Sequence, residues 1–167
     1  MIEEITYDHS MRSKYTFRCR AMYDFAYRFL DMGIWCDPFF GESPFKVEYV
    51  NDIRKSGIDS HDWIKEIPSN SCDGVIWDPP YSMEQCSRTY KSSKIFDWQT
   101  RYKNKSGEFP KIKNEISRIC KTNSQVISFG WNSAGMGSAR GFKKTHIKLV
   151  CHGGAARDTI CVREVKD

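Results

Sequence analysis

The stretch Cys72-Asp73-Gly74-Val75-Ile76-Trp77-Asp78-Pro79-Pro80-Tyr81-Ser82 constrains the fold of this chain more than any other. Its first half, CDGVIW, is a short apolar run bounded by turn residues, which reads as a buried strand. Two prolines come next. Neither has a backbone N–H or a free φ, so no strand or helix continues through them. The strand must end in a rigid elbow that presents Asp78, two carbonyls and the Tyr81 ring at its carboxyl end. In open α/β sheets that end is where ligands bind.

The rest of the chain supplies the elements such a sheet needs. Residues 15–31 place Phe17, Ala21, Phe25 (or Met22), Phe29 and Leu30 on one side, an amphipathic helix with Thr16 as its cap and Gly33 as its stop. A short strand over 34–37 ends in Asp37-Pro38, and 46–52 alternates as a second strand ending in Asp52. The link between them is too short for a full crossover helix, so parallel neighbours there require an abbreviated connection. Residues 59–67 fit one helix, and 110–121 another, with Pro110 in its first turn. SQVISFGW (124–131) is a further buried strand. KKTHIKLVCH and DTICVREV, joined by GGAAR, are spaced as an antiparallel hairpin. The expected fold is a single α/β domain: a mostly parallel sheet with helices on both faces and a C-terminal antiparallel hairpin.

Charge is unevenly spread. Residues 1–82 carry 9 Lys+Arg against 14 Asp+Glu, residues 83–121 carry 10 against 4, and residues 122–167 carry 7 against 3. The acidic half suits a small cationic cofactor, the basic half a polyanion. Residues 83–108 are polar, basic and aromatic without a sustained period, and read as a flexible substrate loop. Within it Arg88, Lys91, Lys94 and Arg101 interleave with Tyr90 and Trp98, cations for phosphates and rings for bases. The apolar runs are too short to span a membrane. The first residues lack a signal pattern, which points to the cytoplasm. The seven cysteines are odd in number with no CxxC pair, so they read as reduced structural thiols, and no metal site is expected.

Four carboxylates and one aromatic cluster are the candidate site. Asp78 and the Pro79 carbonyl are rigidly placed acceptors, as needed by a site that must hold an aromatic amine and aim its nitrogen lone pair. Tyr81, with Pro80 fixing its approach, offers a stacking face for an extruded base. In Asp37-Pro38-Phe39-Phe40-Gly41, the carboxylate at a strand end faces a cationic ligand and Gly41 allows close backbone approach. Asp52 ends a strand where such folds hold ribose hydroxyls. Asp59 opens the 59–67 helix and reads from the residues alone as its N-cap. Trp131 and Asn132 fall at the carboxyl end of the 124–131 strand, beside where Asp78 would emerge, and are candidate contacts to the nucleic acid; a Gly-rich turn follows in which Ser133, Gly135 and Gly137 are expected close to ligand. His152 reads as a structural residue of the hairpin.

Together, DPPYS (78–82), DPFFG (37–41), NDI (51–53), SFGWNSAGMG (128–137), HGG (152–154) and DTI (158–160) resemble small phage-type DNA adenine methyltransferases, and the likeness runs from Ser13 to the end. It departs at Glu42-Ser43-Pro44, where that family has further glycines. The resemblance implies a class I methyltransferase (Rossmann-like) fold and methyl transfer from S-adenosylmethionine to the exocyclic amino nitrogen of adenine in DNA, by base flipping. It places Asp37, Pro38, Phe39, Gly41, Asp52, Asp59 and Asp78 at the cofactor, Asp78-Pro79-Pro80-Tyr81 at the chemistry, and Tyr81, Ser82 and the basic loop at the nucleic acid. It leaves no room for a separate target-recognition domain, and implies a monomer or homodimer, in the host cytoplasm if phage-encoded. Cytosine or RNA as substrate, and a nucleic-acid-binding module without catalysis, are the alternatives.

Overall fold

The computed structural model describes residues 2–90, 108–154 and 156–167. Seven strands form one sheet: β1 (Glu4–His9), β2 (Trp35–Asp37), β3 (Tyr49–Val50), β4 (Cys72–Trp77), β5 (Cys120–Gly130), β6 (Phe142–Cys151) and β7 (Thr159–Lys166). Their order across the sheet is β1-β6-β7-β5-β4-β2-β3. β1 runs parallel to β6, and β2 runs parallel to both β3 and β4. β4 is parallel to β5, while β7 is antiparallel to both of its neighbours, β5 and β6. β7 is therefore the one reversed strand of a mixed α/β sheet, and the expected hairpin is β6–β7.

Helices cover both faces. On one, α1 (Arg20–Phe29) buries Ala21, Met22, Phe25 and Ala26 against Trp35, Ile76, Ile127, Phe129 and Val150. On the other, α5 (Glu108–Ile119) buries Ile112, Ile116 and Ile119 against Cys36, Val75, Trp77 and Val126. The alternation of Val75, Ile76 and Trp77 between the two clusters is the period-two signature of a strand buried on both sides. Gly74 is required there, because a Cβ would lie 2.5 Å from the Trp35 ring of β2.

Several elements differ from expectation. β1 lies outside the strands that the sequence pattern predicts. It is an edge strand with Ile5 and Tyr7 both 69% exposed, so its alternation carries little burial signal. The helix expected over 15–31 splits into a 3-10 turn, Thr16–Arg18, and α1, which Cys19 precedes and Leu30 ends, so neither Thr16 nor Gly33 bounds it. The strand expected over 46–52 keeps only Tyr49–Val50. No helix links β2 to β3; instead Phe45 of the connection packs into the α1 cluster beside Phe17 and Tyr23. The helix expected over 59–67 is α3 (Ser60–Trp63) followed by a 3-10 turn, Ile64–Glu66, and a short α2 (Ile53–Ser56) precedes it.

The start of the supposed loop is also ordered: α4 spans Met83–Tyr90. Ser82 accepts from the Gln85 N–H through its side chain, and Gln85 Oε1 reaches back to the Tyr81 N–H at 2.7 Å. This resembles a capping box, and the Ser82-x-x-Gln85 pattern was its legible signal. Among the described residues no helix is long and apolar enough to cross a membrane.

Candidate active site

The chain steps outward in opposite directions from the β2/β4 pair, to β3 on one side and β5 on the other. In such sheets a crevice opens at that reversal, beyond the carboxyl ends of the strands. A cleft of about 1080 Å³ lies there. Its walls come from the segments leaving β1, β2, β3, β4, β5 and β6, and from the start of β7: Lys14, Pro38, Asp52, Asp78, Trp131, His152 and Thr159 among them.

The two Asp-Pro elbows at the reversal use the same dipeptide differently. Asp37 is 1% exposed, and its Oδ1 accepts the N–H of Phe39, two residues on, at 3.0 Å. That Asx-type turn directs the carboxylate inward and leaves Pro38, Phe39, Phe40 and Gly41 as the cleft wall. Burial pushes the Asp37 carboxyl well above its usual range, against the pull of the Phe39 N–H, with Asp78 and Asp52 adding repulsion. At Asp78 the corresponding residue is Pro80, which has no N–H, so this turn cannot close. Asp78 instead faces the cleft, where Tyr81 Oη donates to its Oδ1 at 2.6 Å. Burial raises its pKa to about 6, while hydrogen bonds from Thr16 and Tyr81 hold it down. It is thus ionised at neutral pH but close to its titration point. Tyr81's own hydroxyl is pushed far up by burial and by Asp78.

The wall beside β2 is braced by residues that sequence reading passed over as site residues. Asn51 is 1% exposed; its backbone exchanges hydrogen bonds with Asp37 and Phe40, and its amide donates to the Ile58 carbonyl. Ser60 donates to the Pro38 carbonyl at 2.6 Å, and Ser56 to Asn51 Oδ1 at 2.7 Å. The Asn-Asp pair ending β3 was the available signal, since a buried Asn at a strand end must spend its amide on backbone.

The predicted residues are not all gathered. Asp52, Pro38, Phe39, Gly41, Asp78, Pro79, Pro80, Tyr81, Ser82, Arg88, Tyr90 and Trp131 line the cleft. Asp52 caps α2 and grips Arg54 through both oxygens, its shortest contact being 2.7 Å. Burial alone would raise its pKa, but the Arg54 hydrogen bonds outweigh that and lower it. Asp59 does not line the cleft; its carboxylate caps α3 by accepting from the His61 N–H, as its N-cap reading allowed. Asn132 also stays outside, accepting from the Ala134 N–H. The Gly-rich turn expected near ligand is tied away from it. Buried Glu164 holds the Met136 and Gly137 N–H groups, and Lys113 donates to the Gly135 carbonyl. His152 joins the Ser10 carbonyl to the Thr159 hydroxyl, a structural tie within the cleft wall. Lys91, Lys94, Trp98 and Arg101 fall outside the described residues.

Thr16, Arg54 and Arg157 also line the cleft without having been anticipated as site residues. A scan against protein-family models matches none, and no curated protein matches the chain.

Proposed function

We propose that this chain is an S-adenosylmethionine-dependent methyltransferase acting on the exocyclic amino nitrogen of adenine in DNA, with a class I methyltransferase fold. The observation that carries the reading is the pair of Asp-Pro elbows side by side at the strand-order reversal, opening on one cleft large enough for a nucleoside donor and a base. Of the two aspartates only Asp78 lines the cleft, and among the described residues it has no ion-pair partner; Asp37 is turned inward onto the Phe39 N–H. An ionised carboxylate on the cleft with no cation of its own favours a cationic ligand, and a sulfonium is one.

The other residues fit the same donor. Phe39 and Ile53 offer apolar surface for a purine, Asp52 reaches the cleft beside them, and Arg12 and Lys14 supply cations for a carboxylate. When bound, S-adenosylmethionine would supply an electrophilic methyl group. The residues of the chain do the rest. Asp78 and the Pro79 carbonyl accept hydrogen bonds from the two amino N–H groups, so the lone pair of the nitrogen is freed from the ring and aimed. The proline pair holds both acceptors without reorganisation. Asp78 also lies within reach of the proton released once nitrogen becomes an ammonium. Because the carboxylate form is the working one, turnover falls as the pH drops through about 6, where Asp78 protonates.

Titration calorimetry with S-adenosylmethionine and its demethylated product tests the reading. One molecule bound per chain is expected. Failure to bind either favours a nucleic-acid-binding module without catalysis, the alternative that the Glu42-Ser43-Pro44 departure suggests.

A further inference from the structure

Trp131 belongs to neither core cluster, yet it is held in place. It is 36% exposed on the cleft wall, its ring sits edge-on to Tyr81 at 6.0 Å, and the Arg157 guanidinium lies 4.3 Å from its centroid. Among the described residues no carboxylate pairs with Arg157; the neighbouring Asp158 is spent on the His152 N–H. From the carboxylate outward the order is thus Asp78, Tyr81, Trp131, Arg157. Tyr81 is committed by its hydroxyl to Asp78. The partly exposed aromatic surface beyond Tyr81 is therefore the indole; the Arg157 guanidinium covers one of its faces and has no acidic partner among the described residues.

We infer that Trp131 and Arg157 form a stacking platform for an unpaired nucleobase adjoining the one that reaches Asp78, with Arg157 also donating to that nucleotide's phosphate. The inference rests on the methyl-transfer reading for which base goes deep. A base whose amine meets Asp78 lies inside Tyr81, so the next nucleotide along the strand passes the indole. Stacking accepts every base, because each has a π face, and Arg157 reads only charge. The platform therefore supplies grip without sequence choice, and works on a strand that is single or locally opened.

The test measures binding of single-stranded oligonucleotides bearing one adenine among thymines, in DNA and RNA forms, with and without an abasic position beside the adenine. Trp131→Ala should weaken binding about tenfold. The abasic position should cost the original protein a similar factor and Trp131→Ala almost nothing, because the two changes remove the same contact. Trp131→Phe should recover most of the loss, and Arg157→Gln should lower the salt dependence by about one counterion. Coupling in either strand type supports the platform and shows which strand it grips. An abasic penalty of equal size in the original protein and in Trp131→Ala overturns it, as does unchanged affinity in Trp131→Ala. Coupling in a protein that transfers no methyl group would leave the platform standing and remove the methyl-transfer reading. Full methylation with no coupling would do the reverse.

Discussion

β2 and β4 are neighbouring parallel strands that both run out into Asp-Pro, and their aspartates lead different lives. Asp37 folds back on the Phe39 N–H and disappears into the protein, so it shapes a wall. Asp78 has Pro80 where that N–H would be, and so it remains on the cleft with the hydroxyls of Tyr81 and Thr16 as its partners among the described residues. One missing backbone N–H separates a carboxylate turned inward from one left facing the cleft. The second proline of Asp-Pro-Pro thus stiffens the elbow and also denies Asp78 its own turn.

The contrast can be broken from either side. Asp78→Ala should lower methyl transfer roughly 10²- to 10³-fold, the usual loss of one preorganised polar contact, with the melting temperature nearly unchanged. Asp37→Ala should act mainly on stability: it orphans the Phe39 N–H, which costs about 1–3 kcal/mol by denaturant unfolding, and it loosens the wall against which cofactor would lie. Pro80→Ala is the sharpest probe. It restores the N–H and lets Asp78 close the turn Asp37 makes, so turnover should fall about tenfold through kcat while affinity for cofactor holds. If Pro80→Ala is fully active, the missing N–H does not explain why the two aspartates differ.

Much of this arrangement was legible in the sequence, for identifiable reasons. The strand before Asp78 shows itself because an apolar run meets two residues that cannot extend it. α5, β5 and the final hairpin show their periods clearly. β1 was missed because its odd residues, Ile5 and Tyr7, face outward and give no sign of a core. α4 was missed because, among its residues with a described burial, only Cys86 is fully buried, leaving its Ser82–Gln85 cap as the single clue. The fates of Asp59 and Asn132 follow local hydrogen bonds, to His61 and Ala134. A strand-end Asp or Asn reads the same whether it serves a ligand or its own turn. The turn at 133–137 was misplaced because Glu164, far along the chain, decides where it docks.

The proposed roles of Asp78, gripping an exocyclic amine, and of the cleft, hosting methyl transfer to it, stand or fall together. The most direct measurement is incubation with methyl-labelled S-adenosylmethionine and mixed DNA and RNA, followed by mass spectrometry of the hydrolysed nucleosides. Label on the amino nitrogen of deoxyadenosine, lost in Asp78→Ala, is the expected result. Label on a ring carbon, or on no nucleoside at all, would contradict both roles.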